Sequence, residues 1–239
     1  MGDYYYLYLL GTLAVMVASF IVQANLKSKA AKGSGIRAAS GKTANQVVEE
    51  MLREHGITGI IIDHKPGELT DCYSPREGKI YLSDTTYNQS SITAIAVAAH
   101  ECGHAVQDHE NMLIYEIRQK LAPLAGISSQ AGVWLAIIGL FVAQASNGDS
   151  ALAYSICNLG IIVYMAAFLF YLVMLPVERN ASARAYKDMK QAGWVSNDQL
   201  KFAHKVLRAA GDTYAIALAS AALTLLRLVV MRNNTRRRN

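Results

Sequence analysis

The residues with the clearest chemical potential are His100, Glu101 and His104, which form the pattern HExxH inside an apolar run. With about 3.6 residues per helical turn, two histidines four positions apart lie on one face of a helix, one turn apart. Two imidazoles so placed can bind one Zn²⁺, and the glutamate beside them can hold and deprotonate a water molecule at the metal. The spacing therefore predicts a zinc site with Glu101 as the general base of a hydrolytic reaction.

The HExxH pattern is a specific signal. Random placement of the 6 His and 9 Glu of this 239-residue chain gives about 0.006 such patterns. The neighbouring positions Ala98, Ala99, Gly103 and Ala105 are small, as close packing on other backbones requires. The alternative is a surface helix with accidental spacing. Glu101 argues against it, because a charge on an apolar helix is costly to bury without a metal or water.

A zinc peptidase site also needs a third protein ligand and an open position for water. His109 is rotated away from the HExxH face, and His204 lies on a late amphipathic stretch, where it stays open as a ligand or as a donor to the transition state. Glu178 directly follows an apolar run that returns the chain to the membrane face it left, so its position favours it as the ligand. Glu110 and Gln107 replace the histidine and glycine of a metzincin motif, which excludes that arrangement.

Three long apolar stretches predict a membrane protein. The chain is 52% hydrophobic and 17% charged, whereas soluble proteins carry roughly a quarter charged residues. A bilayer needs about 20 apolar helical residues, and Tyr4–Val22, Leu121–Gly148 and Ser150–Val177 are long enough and uncharged. The turn signal Asn147–Ser150 makes the last two stretches a transmembrane helical hairpin. The alternative is a buried hairpin in a soluble protein.

The charge distribution predicts orientation and partners. Asp3 precedes the first stretch, and Lys27, Lys29 and Lys32 follow it, which places the N-terminus outside and the next segment in the cytoplasm. If the hairpin then exits and returns, all 23 Lys and Arg lie on the inner side. The net charge of +5 therefore indicates topology and affinity for a bilayer with anionic headgroups, not nucleic-acid binding.

The last apolar segment, Tyr214–Met231, leaves two alternatives open. Only 13 residues precede Arg227, and a spanning helix would place four further arginines outside. We therefore expect a helix that lies in the interface or packs on the other helices, and a fourth membrane span is the alternative.

Between the first two stretches the pattern predicts a small α+β region. A capping-box-like start at Thr43 and a stop at Gly56 bound a helix, and the β-branched segment Ile57–Asp63 predicts a strand. Leu69–Ser74 and Lys79–Ser83 flank a turn and predict a hairpin. The last of these strands precedes the HExxH helix, as the edge strand does in zinc peptidases, so by this resemblance we expect an edge strand that can pair with an extended substrate.

The predicted fold class is a mainly α membrane protein with a small α+β zincin-like domain at the inner membrane face. In chain order the segments are an anchor (1–26), a basic linker (27–42), the zincin-like segment (43–120), a transmembrane helical hairpin (121–177), a helical segment with the third ligand (178–213), and an interfacial or transmembrane helix with a basic tail (214–239). Glu178 is expected to open its helical segment, where its alternative role is a carboxylate facing the helix dipole.

Together these pieces resemble the neutral membrane zinc metallopeptidases of the YugP type. The resemblance covers nearly the whole chain and rests on Leu69-Thr70-Asp71, Tyr73, Pro75, Val97–Gln107, Leu175–Glu178 and Ala181-Ser182. It implies His100, His104 and Glu178 as zinc ligands and Glu101 as the catalytic base. In the similar HtpX-like membrane peptidases an aspartate that orients a histidine ligand stands at the position of Ser182, whose hydroxyl can also accept a hydrogen bond from an imidazole.

The three cysteines, Cys72, Cys102 and Cys157, form no close pair, which excludes a disulfide framework. Such usage fits a reducing compartment for at least Cys72 and Cys102. Cys102 stands where the YugP-type group usually has alanine, and its helical position points away from the zinc face. We interpret it as a small buried residue, not as a ligand.

The sequence thus predicts a membrane-embedded, zinc-dependent endopeptidase that hydrolyses membrane or membrane-proximal proteins at the cytoplasmic face of a bacterial cell membrane. Its predicted partners are a protein or peptide substrate and the bilayer. Tyr186, Arg184 and His204 are candidate donors to the oxyanion of the reaction. One rival interpretation is a non-catalytic, zinc-stabilised membrane scaffold or interaction protein. Another is a metal-dependent amidase or a protease of lipid-modified peptides, which an interfacial site would suit.

Overall fold

The computed structural model describes residues 2–146 and 150–237, in which six helices accompany a small three-stranded sheet. The elements are α1 (Gly2–Ser34), α2 (Ala44–Glu54), β1 (Ile61–His64), β2 (Cys72–Ser74), β3 (Lys79–Leu82), α3 (Ile92–His109), α4 (Leu113–Ala145), α5 (Ala151–Ala192) and α6 (Asn197–Arg237). The predicted mainly α fold with a small α+β part is confirmed. The turn predicted at Asn147–Ser150 falls largely on residues 147–149, outside the described residues.

Four helices among the described residues are long and apolar enough to cross a membrane. They are Tyr8–Ser34, Leu113–Ala145, Ala151–Ala192 and Asn197–Thr235, with mean hydropathy of 1.9, 1.7, 2.3 and 2.0 in their apolar windows. Large apolar side chains on these helices face outward, among them Phe20, Ile127 and Phe141, which are exposed by 76%, 73% and 76%. Exposed apolar surface of this extent suits contact with lipid acyl chains.

The chain divides into two compact units. The first, here called the apolar unit, comprises Met1–Phe20, Ile117–Leu175 and Tyr214–Asn239. The second, here called the site unit, comprises Ile21–Glu116 and Pro176–Thr213. The division falls within α1, α4, α5 and α6, so each of these long helices contributes residues to both units.

Small residues let α4 and α5 approach closely within the apolar unit. A side chain at Gly132 would overlap the backbone of Tyr164, one at Gly139 that of Cys157, and one at Gly160 that of α4. Interfaces of small residues are typical of membrane helices, whose association depends on close van der Waals contact. Because a later position on α4 meets an earlier one on α5, the two helices are antiparallel, as in the predicted hairpin.

The last apolar segment packs on other helices of the apolar unit. Leu228 is buried in a cluster with Ala136, Cys157 and other residues of α4 and α5. Arg227 Nη1 donates a hydrogen bond to the Tyr8 hydroxyl at 3.1 Å, and its guanidinium carbon lies 4.5 Å from the centre of the Tyr8 ring. This packing agrees with the expectation that the segment lies in the interface or packs on other helices. The same helix also has the length and composition of a fourth membrane span, which was the alternative.

The core of the site unit joins α2, α3 and the sheet to the adjoining parts of α5 and α6. Its largest fully buried side chains include Met51, Ile80, Leu82, Ile95, Met189 and Trp194. The predicted capping box opens α2, because Thr43 Oγ1 accepts the Gln46 N–H at 3.3 Å while Gln46 Oε1 accepts the Thr43 N–H at 2.9 Å. Ser91 Oγ accepts the Ala94 N–H at 3.1 Å and caps α3.

The sheet has the order β1–β3–β2, with β1 parallel and β2 antiparallel to β3. The predicted hairpin of β2 and β3 is confirmed, and the first strand begins later than predicted, at Ile61. The expectation that Lys79–Ser83 forms an edge strand is wrong, because β3 is paired on both sides. The edges of the sheet belong to β1 and β2, so only these two strands can accept another strand.

The basic segment predicted as a linker is partly helical, because α1 continues to Ser34. Its small residues serve close packing instead of flexibility. Ala30 and Gly33 are buried, and Thr93 Oγ1 donates a hydrogen bond to the Ala30 carbonyl at 2.9 Å. A side chain at Gly33 would overlap Thr93. The contact with α3 therefore explains why the helix extends eight residues beyond the predicted anchor.

Glu178 lies inside α5 and does not open a helix, which corrects the predicted boundary at this position. Pro176 lies inside this helix, lacks an N–H and removes one backbone hydrogen bond. The helix nevertheless continues, because Val177, Ala181 and Ala185 recur every four residues on one face and are fully buried. Side-chain packing on this face outweighs the missing hydrogen bond.

Candidate metal centre

The HExxH residues lie on α3 in the interior of the site unit. The ring centres of His100 and His104 are 4.8 Å apart, and the rings are nearly perpendicular. Glu101 and His104 are buried, whereas His100 is part-buried, with 14% of its side chain exposed. The two imidazoles therefore meet one turn apart at a point that solvent can still reach from the side of His100.

A close crossing of α3 and α5 brings the third candidate to these histidines. A Cβ added at Gly103 would lie 2.7 Å from the carbonyl oxygen of Ala181, so the two backbones touch. Glu178 lies one turn before this crossing and is almost completely buried. Its Oε2 is 3.2 Å from His100 Nε2, and its Oε1 is 3.5 Å from His104 Nε2.

The three side chains fit a zinc ion in chemistry and in spacing. Zinc bonds of about 2.0 to 2.1 Å at tetrahedral angles place neighbouring ligand atoms about 3.3 Å apart. The separations of 3.2 and 3.5 Å between the Glu178 oxygens and the histidine nitrogens match this value. All three ligand atoms lie within 4.8 Å of one another. Two imidazoles and one carboxylate would leave the fourth position for water or substrate, as catalytic zinc sites do.

Gln107 determines which nitrogen of His104 carries the proton. Its amide nitrogen donates to the Val177 carbonyl and to Asn180 Oδ1, both at 2.9 Å. The amide oxygen therefore faces His104 Nδ1, also at 2.9 Å, and an oxygen there can only accept. The proton is assigned to Nδ1 on this ground, which leaves the Nε2 lone pair directed toward Glu178 and available for a metal.

Ser182 has the corresponding position at the other histidine. Its Oγ lies 3.2 Å from His100 Nδ1, so the serine hydroxyl contacts this imidazole directly. A hydroxyl can accept the Nδ1 proton and orient the ring. It adds no negative charge, so His100 is oriented without the electrostatic support that a carboxylate would supply.

Glu101 is held in place by β2. The Tyr73 N–H donates to Glu101 Oε2 at 2.9 Å, and the Tyr73 hydroxyl donates to Asp108 at 2.8 Å, so Tyr73 is bound to α3 at both ends. Burial raises the pKa of the Glu101 carboxyl, the two neighbouring histidines lower it, and the charges of Glu178 and Asp71 raise it further. One oxygen of Glu101 is therefore fixed by the sheet, while the other remains for a water molecule.

The other predicted candidates have different surroundings. His109 and His204 do not belong to the group of possible metal ligands in the described part of the chain. The ring of His204 lies 5.3 Å from that of Tyr186. Arg184, the third predicted oxyanion donor, is engaged with Glu110, to which its Nη1 donates at 2.9 Å. The ion pair with Glu110 therefore occupies the guanidinium of Arg184.

Two residues of the site had no predicted role. Gln107 lies three positions after His104, and this spacing on a helix is the signal that could have indicated a contact with the histidine. Tyr73 holds Glu101 through its backbone N–H, which its residue type does not reveal. Cys102 is fully buried, burial raises the pKa of its thiol, and it lies outside the group of possible metal ligands.

Comparison with known proteins identifies the family. A family model described as "Putative neutral zinc metallopeptidase" matches residues 8–233. The chain belongs to this family. It is also 34% identical to "Putative membrane protease YugP" of Bacillus subtilis (strain 168), over 233 residues that cover 98% of this chain and 100% of the relative. No solved structure matches the chain.

Membership in this zinc metallopeptidase family makes zinc the cofactor and confirms the predicted resemblance. His100, His104 and Glu178 form the group that could hold the ion within residues 2–146 and 150–237. The match to a membrane protease extends over nearly the whole chain, and the described residues include four helices that are long and apolar enough to cross a membrane. The membrane character predicted from the sequence is therefore confirmed as well.

Proposed function

We propose that this protein is a membrane-embedded zinc endopeptidase that hydrolyses peptide bonds of membrane or membrane-proximal proteins at the cytoplasmic face of a bacterial cell membrane. The observation that carries the proposal is the meeting of Glu178 with His100 and His104, with the Glu101 carboxylate beside them. Membership in a zinc metallopeptidase family and the four apolar helices support it.

Each residue of the centre has a distinct role in this proposal. His100 and His104 would hold zinc through Nε2, and Glu178 through its carboxylate. When bound, zinc supplies Lewis acidity that polarises the scissile carbonyl and acidifies the attacking water. Glu101 takes the proton from that water and passes it to the leaving amine. The Tyr73 N–H supports this transfer, because it engages Oε2 and leaves Oε1 for the water.

An extended substrate is proposed to pair with β2, not with β3 as first expected. The Tyr73 N–H donates a hydrogen bond to Glu101 and therefore points away from β3. The outer edge of β2 thus lies beside the carboxylate of the proposed base. Because the Tyr73 N–H is already engaged by Glu101, strand addition would use the remaining backbone groups of this edge. This arrangement would place a scissile bond next to Glu101 without demanding one particular side chain.

The cytoplasmic placement of the reaction is supported by charge. Asp3 precedes the apolar part of α1, whereas Lys27, Lys29 and Lys32 follow it near the start of the site unit. Basic residues next to a membrane segment favour the cytoplasmic side. They also suit contact with anionic headgroups of the inner leaflet.

Substitution of Glu101 by glutamine tests the proposed reaction. We expect Glu101→Gln to retain about one zinc per chain and to lose cleavage by about 100-fold or more. Cleavage is followed by mass spectrometry on a mixture of unlabelled peptides, with the exposed Glu54→Gln as a control of equal charge change. Full cleavage by Glu101→Gln would refute the assignment of the base. Zinc without any cleavage by the unsubstituted protein would favour the zinc-stabilised scaffold.

A further inference from the structure

A cavity of about 480 Å³ lies between α5 and α6 within the site unit. One face of each helix lines it, with positions 179, 182, 183 and 186 on α5 and positions 204, 207, 208, 211 and 212 on α6. Ser182 connects the cavity to the metal centre, because its hydroxyl also lies 3.2 Å from His100 Nδ1. A group bound in the cavity would therefore lie directly behind the imidazole of His100.

Two arginines give the lining of this cavity a positive charge. Arg179 and Arg208 line it, and neither guanidinium forms a hydrogen bond or ion pair with another described residue. Arg184 on the same helix differs, because Glu110 accepts its Nη1–H at 2.9 Å. Asp212 is the one acidic residue in the lining, so the two guanidiniums leave one positive charge in excess.

The geometry suits a carboxylate. A guanidinium presents its donors in a planar fork that matches the two oxygens of a carboxylate, and two such groups in one cavity can bind both oxygens. The volume lies within the roughly 300 to 1,000 Å³ of small-ligand sites, which is ample for an acidic side chain or a chain terminus. The rings of Tyr186 and His204, 5.3 Å apart, supply flat walls for the neighbouring part of a peptide.

We infer that this cavity is a substrate subsite that binds a carboxylate of a peptide substrate through Arg179 and Arg208. The inference rests on the proposed function, since it takes the ligand to be part of the peptide under hydrolysis. Because Ser182 belongs both to the cavity and to the surroundings of His100, the bound carboxylate lies within a few residues of the scissile bond. The protein then selects peptides that carry an acidic group at one fixed position.

Peptide binding to the Glu101→Gln protein tests this selection without turnover. The probes are ten-residue peptides in which one glutamate moves along an otherwise neutral sequence, each compared by calorimetry with its glutamine counterpart and with its C-terminal amide. At one position the carboxylate should strengthen binding by about tenfold or more, equal to about 1.4 kcal/mol. Arg179→Gln and Arg208→Gln should each abolish the difference. Lys187→Gln, an equal charge change at an exposed position of α5 outside the lining, should preserve it.

The inference is overturned if no peptide position discriminates between carboxylate and amide, or if the difference survives in both arginine variants. It is also overturned if these variants weaken binding to phosphatidylglycerol nanodiscs relative to phosphatidylcholine nanodiscs and leave peptide binding unchanged, since the cavity would then serve a lipid phosphate. If an arginine variant fails to fold, the salt dependence of peptide binding tests the inference instead. Rising ionic strength must weaken the binding of the glutamate peptide and leave the binding of its glutamine counterpart unchanged.

The failure of this inference differs from the failure of the proposed function. If the protein cleaves peptides but does not discriminate between carboxylate and amide, the peptidase proposal stands and the subsite is refuted. If it binds acidic peptides selectively but the unsubstituted protein cleaves none, the carboxylate-selective site stands and the peptidase proposal is refuted. Where cleavage is measurable, the arginine variants should raise KM for the acidic peptide and leave kcat nearly unchanged, because they do not touch the reacting atoms.

Discussion

Gln107 and His104 share a hydrogen bond of 2.9 Å in a buried part of the molecule, and this bond assigns the proton of His104 to Nδ1. The same amide donates to Val177 and Asn180, the residues that stand on either side of Glu178 and Arg179 in the sequence. One side chain therefore orients one candidate ligand and fixes the helix that carries another. Metal affinity should depend on Gln107 although it contacts no metal itself.

Replacement of Gln107 by leucine should lower zinc affinity by about 10- to 100-fold, because His104 loses the acceptor that orients it. It should also lower the free energy of unfolding by about 1 to 3 kcal/mol, since buried polar groups lose their partner. Competition with a chelator and thermal unfolding measure the two effects. Gln191→Leu, at an exposed position of α5, serves as control. Equal zinc affinity of Gln107→Leu and the unsubstituted protein would contradict the positioning role.

Substitution of Gly103 tests the close crossing of α3 and α5. In Gly103→Ala the new methyl group would lie 2.7 Å from the Ala181 carbonyl oxygen, so the helices must separate. We expect a loss of about 1 to 3 kcal/mol in the free energy of unfolding, together with weaker zinc binding, because Glu178 moves with α5. Gly126→Ala is the matched control, since nothing lies within 4 Å of a methyl group at that helical position. A stable Gly103→Ala protein with full zinc affinity would show that the contact is not needed.

The cysteines of the site unit should differ in reactivity. Cys102 is fully buried, and burial raises the pKa of its thiol, so it should resist iodoacetamide near neutral pH until the protein unfolds. Cys72 is half-buried, and burial raises the pKa of its thiol as well, so little thiolate is present at neutral pH. Its labelling should accelerate by about tenfold per pH unit while the pH stays below that pKa. Mass spectrometry of the labelled peptides decides, and rapid native labelling of Cys102 would contradict its assignment as a buried residue.

Cys72 also reports the side of the membrane on which the site unit lies. A membrane-impermeant maleimide should label it in inside-out vesicles and leave it unlabelled in intact cells, if the site faces the cytoplasm. Cys72→Ser provides the background for both preparations. Labelling in intact cells alone would place the site unit outside and contradict the proposed orientation.

The features that could be predicted from the sequence depend on residues close together in the chain. The HExxH spacing, the capping box of Thr43 and Gln46 and the hairpin of β2 and β3 are local patterns, and all three are present. The parallel pairing of β1 with β3 is not local, since Ile61 pairs with Lys79 across the intervening hairpin strand. That pairing makes β3 central and accounts for the wrong expectation of an edge strand.

Tertiary contacts explain the remaining differences. Glu178 could be proposed because the hairpin returns the chain to its starting side, but the packing of Val177 and Ala181, which carries α5 through Pro176, has no local signal. The roles of Gln107 and Tyr73 depend on partners about 70 and 28 positions away, one of them reached through a backbone N–H. Residue type alone does not specify such contacts.

The zinc content of the purified protein and of Glu178→Ala tests the central claim most directly. The account predicts about one zinc per chain in the unsubstituted protein and in Glu101→Gln, and a strong loss in Glu178→Ala, whose fold is checked by thermal unfolding. An unchanged zinc content in Glu178→Ala would contradict the three-ligand centre of His100, His104 and Glu178.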